Sequence, residues 1–251
     1  MSDLSRGPLD VSITVDFEPD CPPYLWTWRG IEEGAPILQE LFAQEGIPCT
    51  YFTTGETARR YPHAVEAILD AGHELACHGL THRAFAELTD DEAAFEIEES
   101  LRILRRFAPV TSFRAPYLRF PERLLPLLKG NGISLDSSQA KYKGRVSPST
   151  AGLNRIPASI TSSLLRLPPL VRDPLLMRLA SPVVLFVHPW EFINLTRAHI
   201  RWDCRFRTGI PARNALRSTI QLFKSKGASF RRMVEFDRTG APSTPSTDGT
   251  E

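Results

Sequence analysis

Short β-rich runs alternate with helical stretches along most of this chain, and that alternation limits the fold more than any other feature. Residues 11–17 (VSITVDF) combine β-branched and aromatic side chains and end in acidic ones. Residues 33–46 carry apolar side chains at helical spacing and close on Gly46. Residues 48–52 (PCTYF) read as a second strand, 57–72 as a helix ending at Gly72, and 74–78 (ELACH) as a third strand. Thr89-Asp90-Asp91-Glu92 has the form of a capping box and opens a helix that runs to about Phe107. A strand over 112–115, a helix over 121–130 and a strand over 133–137 follow. Residues 182–187 (PVVLFV) are apolar throughout, as a strand buried on both faces requires. A helix over 211–226 and a strand over 229–236 complete the series. Such alternation implies parallel pairing through right-handed crossovers, and roughly seven or eight units predict a closed or nearly closed (β/α) barrel.

At 251 residues the chain suits one such domain better than two. The expected division is an N-terminal extension over 1–10, a barrel over 11–237 and a tail over 238–251. The tail is rich in Ser, Thr, Pro and Gly and cannot bury enough apolar area to order itself. Hydrophobic residues make up 42% of the chain, which marks it as globular. Thirty basic residues against 29 acidic ones leave a net charge of +1, so nothing in the charge balance favours nucleic acid or an acidic membrane surface. No run is long and apolar enough to span a bilayer, and residues 1–10 are polar, without the apolar core of an export signal. The expectation is a cytoplasmic protein; its oligomeric state is left open. The four cysteines, Cys21, Cys49, Cys77 and Cys204, form no C-x-x-C pair and are expected to be free thiols. Strand alternation turns Cys77 into the core if its neighbour His78 faces a site.

Position then singles out five residues. Asp16, His78, Arg114, Asp136 and His188 each end or directly follow an expected strand. In a (β/α) barrel the C-terminal ends of the strands share one rim, so the five converge on one pocket. His78 and His82, four apart, can hold one metal from a tight loop, or they are two unrelated histidines. Asp16 and Glu18, two apart, point the same way from a strand and add carboxylates; without the histidines they would read as a solvated strand end. Together these residues make a His-His-carboxylate site suited to one divalent ion, Zn²⁺ first, with Co²⁺, Ni²⁺, Mn²⁺ or Fe²⁺ as alternatives. Asp20 is an alternative to Glu18 as the carboxylate ligand.

The elements Asp16-x-Glu18, His78-x-x-x-His82, Arg114-Ala-Pro-Tyr117, Asp136-Ser-Ser and Phe186-Val-His188 stand in the order seen in the polysaccharide deacetylases (carbohydrate esterase family 4), which this chain resembles over about residues 11–236. The run from His188 to Phe192 (HPWEF), with the Arg-rich segment 205–209 after it, looks like a branch associated with exopolysaccharide or cell-envelope sugars. The resemblance implies a distorted (β/α)7-8 barrel and removal of acetyl from an N-acetylated sugar or glycan. It also implies roles. Asp16 would be the general base acting on the attacking water. Glu18, His78 and His82 would hold the metal; the family's commonest form has two adjacent aspartates, where this chain has Asp-x-Glu. Arg114 would pair with Asp16 and hold its carboxylate in place. Tyr117 would offer its backbone N–H to an oxyanion. His188 would be the general acid, oriented by Asp136; by itself it reads equally as a buried histidine capping a strand.

Tyr24, Trp26 and Trp28 follow the first carboxylates, and these rings either stack on a sugar or pack their loop onto the barrel; Trp190 poses the same choice. No G-x-S-x-G elbow suggests a serine nucleophile. Two other functions fit the same scaffold. One is hydrolysis of a cyclic amide or imide, as in allantoinase-like relatives; the other is a non-catalytic carbohydrate-binding protein, which predicts a missing ligand or base.

Overall fold

The structure is a computed structural model that describes residues 9–25, 27–144, 146–150 and 152–237. Eight parallel strands form one sheet: β1 (Asp10–Phe17), β2 (Cys49–Thr53), β3 (Glu74–Cys77), β4 (Ser112–Phe113), β5 (Leu135–Asp136), β6 (Asn154–Arg155), β7 (Val183–Val187) and β8 (Ser229–Phe230). The order is β6-β5-β4-β3-β2-β1-β7, with β8 added against the start of β1. A hydrogen bond from Ser159 N to the Val184 carbonyl (2.8 Å) brings the chain beyond β6 onto β7. The result is the distorted barrel expected from the sequence. The helices are α1 (Ala35–Glu45), α2 (Gly55–Arg60), α3 (Pro62–Asp70), α4 (Asp90–Leu104), α5 (Leu125–Gly130), α6 (Ser162–Leu165), α7 (Pro169–Leu176), α8 (Trp202–Arg205) and α9 (Ile210–Ser225). None among the described residues is long and apolar enough to cross a membrane.

The period of two along each strand explains which residues meet. Val11, Ile13, Val15 and Phe17 of β1 bury themselves against α1 and α9, in one cluster with Leu38, Leu41, Leu216 and Phe223. The intervening positions, Thr14 and Asp16, face Arg114 inside the barrel. The same alternation puts Leu75 and Cys77 among the helix-facing residues and Ala76 in a small interior cluster with Phe52, Leu135, Ile156 and Val184. Cys77 is therefore core, as expected, and its Sγ meets Ser100 Oγ at 3.4 Å.

Local signals set most boundaries. Gly46 ends α1 at φ 58°, a left-handed conformation that costs glycine little. Thr89 and Glu92 complete the capping box that starts α4. The single helix expected over 57–72 is two, because Tyr61 leaves helical geometry before Pro62, which opens α3 as a first-turn proline. The final strand is only Ser229–Phe230; the 3-10 turn Met233–Phe236 follows. Strand β6 and helices α6 and α7 lie in a stretch whose sequence carries no sustained period. Residues 1–8 and the tail 238–251 lie outside the described residues, as does Trp26.

Candidate active site

Glu18, His78 and His82 meet at the C-terminal rim, all three buried, with one donor atom from each within 4.8 Å of the others. Glu18 Oε2 lies 3.2 Å from His78 Nε2 and 2.6 Å from His82 Nε2. The loop that carries the histidines is held from behind. Glu96 of α4, a buried carboxylate, accepts the backbone N–H groups of Leu80 (2.9 Å) and Thr81 (3.0 Å). Gly79 turns the loop at φ 78°, and its carbonyl accepts from Ser100 Oγ at 2.7 Å. His82 itself sits at φ 61°. Among the described residues, four of the five non-glycine residues with left-handed backbones, Cys21, His82, Tyr117 and Leu118, line this cavity; strain of this kind gathers where surrounding contacts over-determine the geometry.

The donor set fits a divalent cation. His78 Nδ1 is 2.7 Å from the carbonyl oxygen of Arg114, which can only accept, so this nitrogen carries the proton. In a neutral ring Nε2 then presents a lone pair to Glu18, itself an acceptor. Two acceptors facing each other at 3.2 Å call for a cation between them. Burial by itself would raise the Glu18 pKa. Where the rings are protonated instead, the charge of His82, hydrogen bonds from His78 and His82 and the charge of His188 hold it well below the usual carboxylate range. Asp20 is not placed to compete: Thr27 Oγ1 donates to its Oδ2 (2.6 Å) and Gly30 N to its Oδ1 (2.8 Å), which closes the loop after β1.

Asp16 stands beside this cluster. Arg114, fully buried, donates from Nη1 to Asp16 Oδ1 (2.6 Å) and to Thr14 Oγ1 (2.7 Å), and from Nη2 to Ser137 Oγ (3.0 Å). Its guanidinium lies 4.1 Å over the Phe52 ring. The other carboxylate oxygen, Asp16 Oδ2, is 3.9 Å from His188 Nε2, which is also 3.8 Å from Glu18 Oε1. Tyr117 packs its ring edge on His82, with centroids 4.8 Å apart, and its backbone takes φ 60° at the cavity wall.

The partner expected for His188 is corrected by the structure. Asp136 does not orient it. Leu135 faces the barrel interior, so its neighbour Asp136 faces the other way, where Arg155 Nε meets its Oδ2 at 3.0 Å. Asp136 Oδ1 accepts from Ser138 N (2.9 Å), and Ser138 Oγ accepts from Ala115 N (2.8 Å). Asp136 thus supports the turn that presents Ser137 to Arg114. His188 is held instead by Glu191, whose Oε1 is 2.7 Å from Nδ1. Arg166 lies behind Glu191 at 3.4 Å and also donates to the carbonyls of Asp203, Cys204 and Phe206. Burial by itself would lower the His188 pKa, but the hydrogen bond to Glu191, with the charges of Glu18, Glu191 and Asp16, raises it to about 9. Glu191, Arg166 and Glu96 were not read from the sequence as site residues. Glu191 alone carried a usable signal, three residues after His188 in a turn.

Of the aromatic rings, Trp190 lines the cavity and stacks on His188, 4.7 Å between centroids and 21° between planes. Trp28 packs on Tyr61 under Arg60 and is not among the residues lining the cavity. Tyr24 is exposed outside that lining. The cavity holds about 450 Å³ and continues over Tyr142, Lys143, Ser162 and Ser163.

The sequence pattern of the family described as "Polysaccharide deacetylase" matches residues 6–135. A peptidoglycan deacetylase of Helicobacter pylori is 30% identical over 110 residues, 43% of this chain and 37% of that protein. The chain thus matches well under half the length of this curated relative. Among solved structures, a peptidoglycan N-acetylglucosamine deacetylase superposes with a TM-score of 0.65 at 19% identity, covering 94% of this chain and 91% of the other. A carbohydrate esterase family 4 pseudoenzyme of Bacillus anthracis superposes equally well, at 0.65 and 16% identity, covering 94% and 67%. At these identities the superpositions establish the fold.

Proposed function

We infer the function of this chain from its family: it belongs to the polysaccharide deacetylases. The reading is a metal-dependent hydrolase that removes the acetyl group from an N-acetylated sugar or glycan. The observation that carries it is the Glu18-His78-His82 cluster standing beside Asp16 and His188 on the floor of one cavity. A non-catalytic protein on this scaffold is expected to lack a ligand or a base, so the presence of Glu18, His78, His82, Asp16 and His188 together supports the catalytic reading.

Glu18, His78 and His82 would hold one divalent ion, with zinc favoured by the nitrogen and oxygen donors. When bound, the ion polarises the acetamide carbonyl and favours ionisation of water. Asp16, fixed through Oδ1 by Arg114, keeps Oδ2 for the proton of the attacking water. The Tyr117 N–H would donate to the negative charge that develops on the carbonyl oxygen. His188, charged through Glu191, protonates the nitrogen so that the amine can leave. Trp190 braces the imidazole and offers an apolar wall to a sugar ring. No covalent enzyme intermediate is required.

Acetate release from a panel of N-acetylated sugars tests the reading. Chito-oligosaccharides and peptidoglycan fragments belong in the panel because the relatives carry those names. Release that needs a divalent ion and disappears in Asp16→Asn supports it. Absence of acetate from the whole panel with every candidate ion bound would refute it.

A further inference from the structure

We propose that Cys21 and Cys204 are a redox-sensitive pair that closes to a disulfide across the wall of the active-site cavity when the protein meets a hydroperoxide. The two residues are 183 positions apart in sequence, yet both line the cavity. They also share one apolar cluster with Leu25, Trp190, Ile193 and Leu195. A second contact joins the same two segments, since Leu25 packs against the cluster that Ile200 also enters. Cys49 and Cys77, by contrast, are strand residues in the core with no exposed surface.

The chemistry of the two thiols is unequal in the useful direction. The proximity of the two thiols, together with burial, pushes Cys21 up, while the same proximity lowers Cys204. Cys204 is also the more accessible of the two and opens to the cavity. Its thiolate attacks the peroxide oxygen, giving a sulfenic acid and hydroxide. The Cys21 sulfur then attacks the sulfenic sulfur, and water leaves with the Cys21 proton. Two thiols and one hydrogen peroxide become one disulfide and two waters.

Such a bond ties the loop that follows Glu18 to the segment whose carbonyls Arg166 holds. It fixes the width of the cavity mouth without touching the metal ligands.

The test treats the full chain with hydrogen peroxide, quenches it, unfolds it, labels the remaining thiols and maps peptide masses. The expected result is loss of two of the four thiols, a linked Cys21–Cys204 peptide, and full recovery with dithiothreitol. Cys204→Ser should keep all its remaining thiols. Cys21→Ser should accumulate a sulfenic acid at Cys204 that dimedone traps. Retention of all four wild-type thiols, a link between other cysteines, or equal linking in chain unfolded before treatment would overturn the proposal.

Discussion

Glu191 holds the Nδ1 of His188 at 2.7 Å from a position three residues along the same turn, and it is the carboxylate that sets the charge of that imidazole. Replacement with glutamine keeps the size and removes the charge. His188 is raised to about 9 because Glu191, Glu18 and Asp16 favour its cation against the cost of burial. A group raised in this way acts as an acid until the pH passes its pKa. Deacetylation should therefore fall as the pH rises through that region. In Glu191→Gln the basic limb should move to lower pH, since the hydrogen bond and the nearest charge are lost. An unmoved limb in a pH–rate profile would assign the proton donor elsewhere.

Asp136→Asn should leave that limb in place. The side chain pairs with Arg155 on the far face of β5, both groups buried. The expected effect is on stability: neutralising one partner of a buried ion pair costs about 3–5 kcal/mol. Thermal unfolding reads the loss. Activity should fall only as far as Arg114 shifts with the turn at Ser137 and Ser138. A displaced basic limb with an unchanged melting temperature would restore Asp136 as the partner of His188.

Asp16→Asn should fold, keep its metal and lose about 10²–10⁴-fold in turnover, the usual range for a general base. Asparagine can still accept from Arg114 Nη1 through its oxygen. Metal content measured on the purified variant checks the division of roles, because joint loss of metal and activity would make Asp16 a ligand.

His78→Ala/His82→Ala should bind no divalent ion, by elemental analysis after dialysis. Wild-type binding should weaken with acid, because the imidazoles must be neutral and Glu18 ionised. Wild-type affinity that does not fall as the pH is lowered would contradict this donor set.

Glu96→Gln should weaken metal binding without touching a ligand. The carboxylate holds the Leu80 and Thr81 N–H groups, and with them the loop between His78 and His82. Loss of a group that orients ligands typically costs about 10–100-fold in affinity. Isothermal titration with the ion measures it, and an unchanged affinity would show that the loop holds itself.

Residues close along the chain, or repeating at the period of an element, were legible in the sequence. The strand pattern placed Asp16, Glu18, His78 and His188 on one rim. The His78-x-x-x-His82 spacing marked a metal pair, and the Thr89–Glu92 box opened α4 where expected. Each depends on local sterics and the alternation of side chains, which a short stretch of sequence contains. The pairing of polar groups was decided only by the tertiary structure. Asp136 ends a strand as its rim neighbours do, but its face is set by Leu135 packing inside the barrel, and that is a property of β5 and β6 together. The claims of Arg155 on Asp136, Arg166 on Glu191 and Glu96 on the histidine loop span 15 to 25 residues. A buried charge takes whichever partner the fold brings within reach, because leaving it unpaired costs far more than any local preference returns.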